Sequence, residues 1–338
     1  MTGASGLVGS HVVEALKSAG HEVRALVRPT SDRAHLDGLG VEIATGDVTD
    51  RDSLRRACQG VECVFHTAAV VSSYGDWSVY RDVGVDGTAN AIGAAADAGA
   101  TRFVHLGSVA VYGFRHRRGA VLSERLPYDE DPEPWNHYVR EKVLSEKLVW
   151  AAHAAERIRA TSLRPSVILG VRDRNVAPRM LRALDLPVVS LAGLGGNRVP
   201  CVVVEDLARA AVGAAVTPAA VGNAYNLSSR SVITQAEIFR EFARAAGRPA
   251  PLLRSPYGAA LIFAGALEKA YSLGGRREEP FLTRMSVALM GHDVRVDCSS
   301  AAADLGWRGD SDLGVAIRRS VEWHRERDAR AAAHRSAS

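Results

Sequence analysis

Short apolar runs alternate with longer amphipathic segments over the first half of the chain. The apolar runs predict β-strands, and they lie at His21–Val27, Val41–Ala44, Cys63–His66, Arg102–Leu106 and Ala160–Arg164. Between them, apolar residues recur at helical spacing, most clearly over Trp77–Ala98 and from Asn136 to Val149. Strands alternating with helices are typical of a parallel sheet covered by helices on both faces. We therefore predict an α/β fold with a doubly wound parallel sheet.

The alternation becomes looser after residue 170. Helices are predicted near Asn175–Leu184, at Asp206–Val216 and at Gln235–Ala246, and strands at Val199–Val204 and Ala224–Leu227. This pattern predicts a large domain over residues 1–170, to which a strand and a helix return from residues 199–228. A smaller α/β part covers residues 171–328, and the small, polar residues 329–338 predict a disordered tail.

Composition and charge narrow the class of protein. The 338 residues are 47% hydrophobic and 24% charged, as is ordinary for a globular chain. The net charge of +4 comes from arginines spread along the sequence, which suits an anionic small molecule better than nucleic acid. Four cysteines lack metal-finger or CxxC spacing, and no signal peptide or apolar run of ~18 residues is visible. We expect free thiols and a cytoplasmic location.

A glycine-rich turn lies at the start of the chain. Gly3, Gly6 and Gly9 follow one another at intervals of three residues and lead into an apolar helical pattern. Such a turn lets the backbone bend sharply, brings its N–H groups close to a pyrophosphate, and allows close packing of helix on strand. The alternative is an ordinary loop before a helix. Only Met1 and Thr2 precede Gly3, so the strand expected there is either truncated or begins upstream.

Three polar residues have the spacing of a catalytic group. Ser108 follows a predicted strand and is followed by Tyr112 and Gly113. Tyr138 and Lys142 are four residues apart in a predicted helix, so their side chains share one face. With the glycine turn, this Ser and Tyr-x-x-x-Lys pattern resembles the extended branch of the short-chain dehydrogenase/reductase superfamily.

The resemblance implies a Rossmann-type domain and a role for each of these side chains. Ser108 would donate a hydrogen bond to the substrate oxygen, and Tyr138 would exchange a proton with it. Lys142 would favour the tyrosinate and hold the nicotinamide ribose. The resemblance also implies further cofactor contacts, from Ser5, Leu7, Val8, Asp47, Val48, Ala68, Ala69, Pro165, Ser166 and Val167. One position departs from the family pattern, because Gly84 stands where the family has an asparagine.

The end of the second predicted strand bears on the choice of cofactor. Members that prefer NAD carry an acidic residue there, which binds the ribose 2′-hydroxyl. This chain has Val27 followed by Arg28, and a guanidinium can pair with a 2′-phosphate. We therefore expect NADP(H), with NAD still possible and with a solvated Arg28 as the alternative.

Several segments resemble particular branches of the superfamily. Leu163–Asp173 and Asn197–Pro200 resemble the 3β-hydroxysteroid dehydrogenase group, and Leu26–Arg28 resembles dihydroflavonol reductases. Val199 takes the place of an arginine that binds the sugar diphosphate in epimerases. The apolar stretch Ala259–Leu267 could line an apolar cleft, touch a membrane weakly, or be a core helix. Arg115–Arg118 could form a lid for an acidic substrate or a solvated loop.

These observations favour an NADP(H)-dependent oxidoreductase that interconverts a hydroxyl and a ketone. The expected substrate is a small apolar molecule with or without a carboxylate: sterol-like, flavonoid-like or an alkyl-3-oxo acid. The alternative is a nucleotide-sugar epimerase or dehydratase with tightly bound NAD. A non-catalytic dinucleotide sensor is a third hypothesis, but such members commonly lose the tyrosine and lysine. The resemblance also implies a homodimer, and no metal is required.

Overall fold

The computed structural model describes residues 1–186, 190–250, 253–276 and 278–337. The strands are β1 (Arg24–Val27), β2 (Glu42–Thr45), β3 (Cys63–His66), β4 (Arg102–Leu106), β5 (Ala120–Leu122), β6 (Ala160–Pro165), β7 (Val167–Leu169), β8 (Ser190–Ala192), β9 (Cys201–Val203), β10 (Ala224–Leu227), β11 (Leu253–Ser255) and β12 (Val294–Val296). The helices are α1 (Leu7–Ser18), α2 (Ala34–Asp37), α3 (Arg51–Cys58), α4 (Trp77–Tyr80), α5 (Gly87–Asp97), α6 (His137–Ala154), α7 (Val176–Leu184), α8 (Val204–Val216), α9 (Gln235–Ala246), α10 (Tyr257–Leu273), α11 (Arg284–Gly291), α12 (Ser299–Leu305) and α13 (Leu313–Ala337).

The main sheet is parallel, and Met1 and Thr2 lie at the place expected for its first strand. Four strands lie in the order β10-β6-β4-β3, and β1 pairs with β2. Met1 and Thr2 join the two groups, since the Leu26 N–H donates to the Met1 carbonyl and the Thr2 N–H donates to the Phe65 carbonyl. These two residues therefore pair on both sides, and the turn that follows them is held by hydrogen bonds to both groups of strands.

Helices cover both faces of this sheet. On one face α1 and α8 pack together through buried side chains that include Val12, Val13 and Leu207. On the other face α3, α5 and α6 contribute Leu54, Ile92 and Val149. The doubly wound α/β fold predicted from the alternating pattern is confirmed.

Most boundaries follow the hydrophobic pattern closely. β3, β4, β10 and α9 begin and end where they were predicted. β1 starts only at Arg24, because Gly20 ends α1 with a positive φ and the next two residues are exposed in the turn. The helix predicted over Trp77–Ala98 contains a π-helical turn at Arg81–Asp86 between α4 and α5.

The later part of the chain forms smaller units beside the sheet. β7 pairs with β9, β8 with β11, and β12 with β5. α7, α9 and α13 bury a second core that includes Met180, Phe242 and Ile317. The functional division at residue 170 stays a prediction. α13 continues to Ala337, through residues 329–337 for which the sequence predicts a disordered tail. Ser338 lies outside the described residues.

Candidate active site

The glycine turn crosses closely packed backbone. Gly3 has φ +66, and a Cβ there would lie 2.8 Å from the Ala68 nitrogen. A side chain at Gly9 would overlap the Gly3 carbonyl oxygen. The first and third glycines are therefore needed where the turn meets the end of β3 and where α1 packs on the turn.

The start of α1 suits an anion. The cap residue is Gly6, and no side chain within the described ranges caps the helix. The Gly6 N–H donates to the Gly3 carbonyl, and the first helical N–H groups, at Leu7 and Val8, precede the first intrahelical bond. A helix start with free N–H groups and no side chain in front fits the pyrophosphate of a dinucleotide. Ser5 belongs to the same turn.

The turn after β3 lies directly beside the glycine turn. The Ala68 N–H donates to Thr2 Oγ1 at 3.4 Å, and Thr67 Oγ1 donates to the Thr2 carbonyl at 2.8 Å. The strand order of the sheet reverses at Met1 and Thr2, and Ala68 and Ala69 directly follow β3 beside this point. Parallel sheets of this kind bind dinucleotides where their strand order reverses.

His66, at the end of β3, is a packed side chain. It is 1% exposed, and its Nδ1 and Nε2 are hydrogen-bonded to Thr2 Oγ1 and Thr88 Oγ1 at 2.9 and 3.0 Å. Burial, together with His105 and Lys142, holds the pKa of His66 well below its usual value. The ring is therefore neutral, which favours a structural role over a catalytic one.

The residues predicted to hold the adenosine end lie at the ends of β1 and β2. Asp47 Oδ1 accepts from the Thr49 N–H and hydroxyl, which leaves Oδ2 without a partner among the described residues. Val48 is buried, and its carbonyl accepts from Asn90 Nδ2. Arg28 directly follows β1, is exposed, and forms no ion pair within the part of the chain that the structure describes.

Ser108 lies at the end of β4. It caps a 3₁₀ turn, Val109–Tyr112, and its Oγ accepts from the Ala110 N–H at 3.1 Å. The side chain is 8% exposed. Because the bond uses an oxygen lone pair, the hydroxyl proton remains free to donate to a substrate oxygen.

Tyr138 and Lys142 occupy the first turns of α6. Asn136 caps this helix through its Oδ1, which accepts from the Val139 N–H. Lys142 Nζ lies 5.7 Å from the centre of the Tyr138 ring. Lys142 is 3% exposed, and burial disfavours its charge, but the Glu141 carboxylate and Tyr138 outweigh burial and raise the pKa of Lys142. The ammonium is therefore charged in a dry site beside the phenol.

Residues 165–167 complete the carboxyl edge of the sheet. Pro165 pairs with Leu227 at the end of β6, and the Ser166 N–H donates to the Leu227 carbonyl. The Ser166 hydroxyl donates to Ser228 Oγ, and the Val167 N–H donates to the Pro200 carbonyl. The predicted catalytic and cofactor residues thus lie at strand ends, in the segments that directly follow them, or on helices α1 and α6, at the edge where parallel sheets bind ligands.

The contacts of the basic loop at residues 115–118 and of Val199 bear on two further hypotheses from the sequence. In the basic loop, Arg115 pairs with Asp129 and Arg118 with Asp293, so these two cations are already neutralised. Val199, in the place of the epimerase arginine, is 2% exposed and packs in the core with Leu169 and Phe242. These contacts favour a structural loop at residues 115–118 and a buried, apolar position at residue 199.

Sequence reasoning missed a buried network behind Ser108. Arg164 Nε donates to Glu146 Oε1 at 2.9 Å, and its Nη1 donates to the Tyr112 hydroxyl at 2.6 Å. The Tyr112 hydroxyl donates in turn to Asn226 Oδ1. Glu146 lies four residues after Lys142, so helical spacing could have placed it on the same face as that residue.

Comparison with known proteins bears on the family to which the chain belongs. A model of the NAD-dependent epimerase/dehydratase family matches residues 1–228. The chain is 29% identical over 318 residues to a 2-alkyl-3-oxoalkanoate reductase of Shewanella oneidensis, covering 91% of this chain and 81% of the relative. It is 32% identical over 333 residues to sterol demethylase protein B of Methylococcus capsulatus, covering 97% and 98%. It is 30% identical over 322 residues to a 3β-hydroxysteroid dehydrogenase/Δ5→4-isomerase of Mycobacterium tuberculosis, covering 91% and 85%.

Solved structures share the fold along almost the whole chain. The crystal structure of gox2253 aligns with a TM-score of 0.78 and 28% identity over 96% of this chain and 97% of that one. A UDP-glucuronic acid 4-epimerase from Bacillus cereus, solved with NAD, aligns with a TM-score of 0.73 and 20% identity over 96% and 97%. From the matched family model and these relatives, the chain belongs to the NAD-dependent epimerase/dehydratase family.

Proposed function

We propose that this chain catalyses the NADP(H)-dependent interconversion of a hydroxyl and a ketone on an apolar substrate. Its family and relatives indicate an NAD(P)-dependent oxidoreductase that acts on CH–OH groups. The observation that carries the proposal is the buried, charged Lys142 beside the ring of Tyr138, on the helix α6 that packs against the 3₁₀ turn capped by Ser108.

The chain's own groups supply positioning and proton transfer. Ser108 donates a hydrogen bond to the substrate oxygen, and Tyr138 Oη passes a proton to the alkoxide that develops there during reduction. The Lys142 ammonium makes the phenol a better proton donor and is placed to bind ribose hydroxyls. When bound, the nicotinamide supplies or accepts the hydride. In oxidation the same groups run in reverse.

The proposed substrate class is supported by the relatives and by Val199, an apolar residue at the place of the epimerase arginine. The printed activities of two relatives concern 2-alkyl-3-oxoalkanoates and 3β-hydroxysteroids. We propose that the substrate is an alkyl-3-oxo acid, a sterol-like alcohol or a flavonoid-like ketone. Of these, the alkyl-3-oxo acid carries a carboxylate. Purified protein assayed with a panel of these compounds should consume one reduced cofactor per ketone reduced. Turnover of UDP-sugars without net change in cofactor would contradict the proposal.

A nucleotide-sugar epimerase or dehydratase with tightly bound NAD is the second candidate. The fold of the Bacillus cereus epimerase supports it, but at 20% identity this likeness concerns the fold alone. The buried Val199 argues against it, because a valine cannot pair with a sugar diphosphate. Such an enzyme would carry NAD through purification.

Arg28 is the proposed partner of a cofactor 2′-phosphate. Replacing Arg28 with Ala should raise the Kd for NADPH about 10- to 100-fold, since charge-assisted hydrogen bonds contribute about 1.5–3 kcal/mol. The Kd for NADH should stay within about twofold. Titration of reduced-nicotinamide fluorescence measures both values. Arg157→Ala, another exposed arginine without an ion pair in the described chain, is the control. Equal effects on both cofactors would exclude a 2′-phosphate contact.

The helix α10 carries an exposed apolar stripe, for which we propose weak membrane contact. Ile262, Phe263 and Leu273 are 76%, 55% and 80% exposed, and Lys269 and Arg276 add exposed positive charge. None of the helices in the described ranges is long and apolar enough to cross a bilayer. An apolar stripe with flanking cations suits the surface of an anionic membrane.

Co-sedimentation with vesicles tests this surface. Wild-type protein should pellet with vesicles that contain anionic phospholipid, and Ile262→Ser with Phe263→Ser should reduce the bound fraction by about fivefold or more. Both side chains are exposed, so Tm should be nearly unchanged. Wild-type protein that stays in the supernatant would contradict membrane contact.

Assembly and location complete the proposal. We propose a homodimer that pairs through α5 and α6. The four cysteines all lie among the described residues and none forms a disulfide. Burial raises the pKa of Cys63 and Cys201 to about 12, so these thiols are unreactive. Unpaired, unreactive cysteines are compatible with the cytoplasmic location that we propose.

A further inference from the structure

The π-helical turn before α5 leaves space for a side chain from α6. Gly84 lies in this turn and is buried, and its carbonyl accepts from the Thr88 hydroxyl. A Cβ at Gly84 would overlap the side chain of Glu141 at Cγ, Cδ and Oε1. Glu141 therefore occupies the volume that any side chain at residue 84 would need.

Glu141 is buried without full hydrogen bonding. It is 1% exposed, and its Oε2 has no hydrogen-bond partner among the described residues. This oxygen lies 3.6 Å from Lys142 Nζ. Burial raises the pKa of Glu141, and Lys142 opposes that effect. A buried carboxylate with an unsatisfied oxygen costs stability, so packing alone does not account for it.

We propose that Glu141 is a positioning residue that keeps the Lys142 ammonium charged and directed towards Tyr138 and the cofactor ribose. The polar group that the family carries at position 84 is thereby replaced by a carboxylate from the neighbouring helix. This inference rests on the proposed function, because it assigns Glu141 a role through Lys142. Gly84 and Glu141 then act as a pair, since only glycine admits the carboxylate.

The surrounding charges leave Glu141 as the main counter-charge of Lys142. Glu146 also faces Lys142, but it is engaged by Arg164. His66 and His105 are buried, and desolvation lowers the pKa of both, so neither carries charge near neutrality. The other groups that face the pair are the phenols of Tyr138 and Tyr80.

The pH profile of ketone reduction tests the proposal in the variant Glu141→Gln. Removing a negative charge makes it easier for Lys142 Nζ to lose its proton, and reduction needs this ammonium beside Tyr138. The alkaline limb of kcat should therefore move to lower pH by about one unit or more. At neutral pH, kcat should fall about tenfold while KM stays within about threefold. Glu22→Gln, at an exposed glutamate, is the control, and Glu141→Asp should retain most of the wild-type profile.

A double-mutant cycle tests the pairing with Gly84. Gly84→Ala alone should displace the carboxylate and move the alkaline limb as Glu141→Gln does. In the background of Glu141→Ser the same alanine should add little, because the space is free. Equal effects of Gly84→Ala in both backgrounds would show that the contact is unimportant. Tm values identify any variant that fails to fold.

A binding measurement separates this inference from the proposed function. Lys142 is placed to bind ribose, so the Kd for NADPH should rise at alkaline pH, and at a lower pH in Glu141→Gln than in wild type. A wild-type protein that binds NADPH without reducing any ketone would contradict the proposed function. The pH dependence of the Kd for NADPH would still test the role of Glu141. An alkaline limb that is identical in wild type and Glu141→Gln, in a folded variant, overturns the inference.

Discussion

Replacement of Tyr138 by Phe is expected to lower kcat by about three orders of magnitude while NADPH affinity stays within about threefold. The phenol hydroxyl is the group placed to exchange a proton with the substrate oxygen, and phenylalanine keeps the ring that lies 5.7 Å from Lys142 Nζ. Single-turnover reduction of a ketone, followed by loss of reduced-nicotinamide absorbance, measures the chemical step. Fluorescence titration measures binding.

Tyr271→Phe is the matched control, because its ring lies on α10 and stacks with Arg276 far along the chain from the site. It should retain wild-type kcat. A Tyr138→Phe variant that keeps more than about a tenth of wild-type kcat would exclude this phenol as the proton donor. If Tyr138→Phe loses both cofactor binding and turnover, the hydroxyl is needed mainly for the structure of the site.

The second large effect concerns stability. Glu146→Gln should lower the free energy of unfolding by about 3–5 kcal/mol, since it leaves the Arg164 guanidinium buried without its counter-charge. Arg164 and Glu146 are 4% and 0% exposed, and Arg164 Nη2 lies 2.5 Å from Glu146 Oε1. Although burial opposes its charge, Glu146 raises the pKa of Arg164, so the cation cannot escape by losing its proton. Thermal unfolding should show a fall in Tm on the order of 10 °C.

Two controls distinguish the buried pair from surface charge. Glu130→Gln breaks the exposed pair with Lys147 and should cost less than about 1 kcal/mol. Replacing both members, as Arg164→Met with Glu146→Leu, should cost less than either single change implies, because no charge is left unpaired. A Glu146→Gln variant with unchanged Tm would contradict the importance of this network.

The elements of the sheet could be predicted because each strand is a short apolar run between polar turns. β3, β4 and β10 are bounded by such turns and were predicted to the residue. The three-residue strands β5, β8, β11 and β12 were not predicted, because each depends on a partner distant in sequence and too few residues alternate. α13 extends to Ala337 through residues whose small, polar character had suggested a frayed end.

The candidate catalytic residues could be predicted from spacing, and their surroundings could not. Tyr138 and Lys142 share a helix face by simple periodicity. The contact of Glu141 with Gly84 joins residues 57 positions apart and depends on the π-helical turn, which no local pattern announces. The pair of Arg164 and Glu146 likewise forms only when α6 packs on β6. The loss of the asparagine at position 84 could be read from the sequence, but its replacement from another helix could not.

Transfer of label from cofactor to substrate tests the central claim most directly. NADPH carrying deuterium on C4 of the nicotinamide would be incubated with the protein and an apolar ketone that it turns over, and the product analysed by mass spectrometry. When the deuterium is on the face of C4 from which the hydride is transferred, we predict one deuterium in each alcohol molecule and one NADP⁺ released per alcohol. Both the labelled alcohol and the NADP⁺ should be lost in Tyr138→Phe. Conversion of a nucleotide sugar with no net change in cofactor, by protein that purifies with NAD already bound, would contradict it.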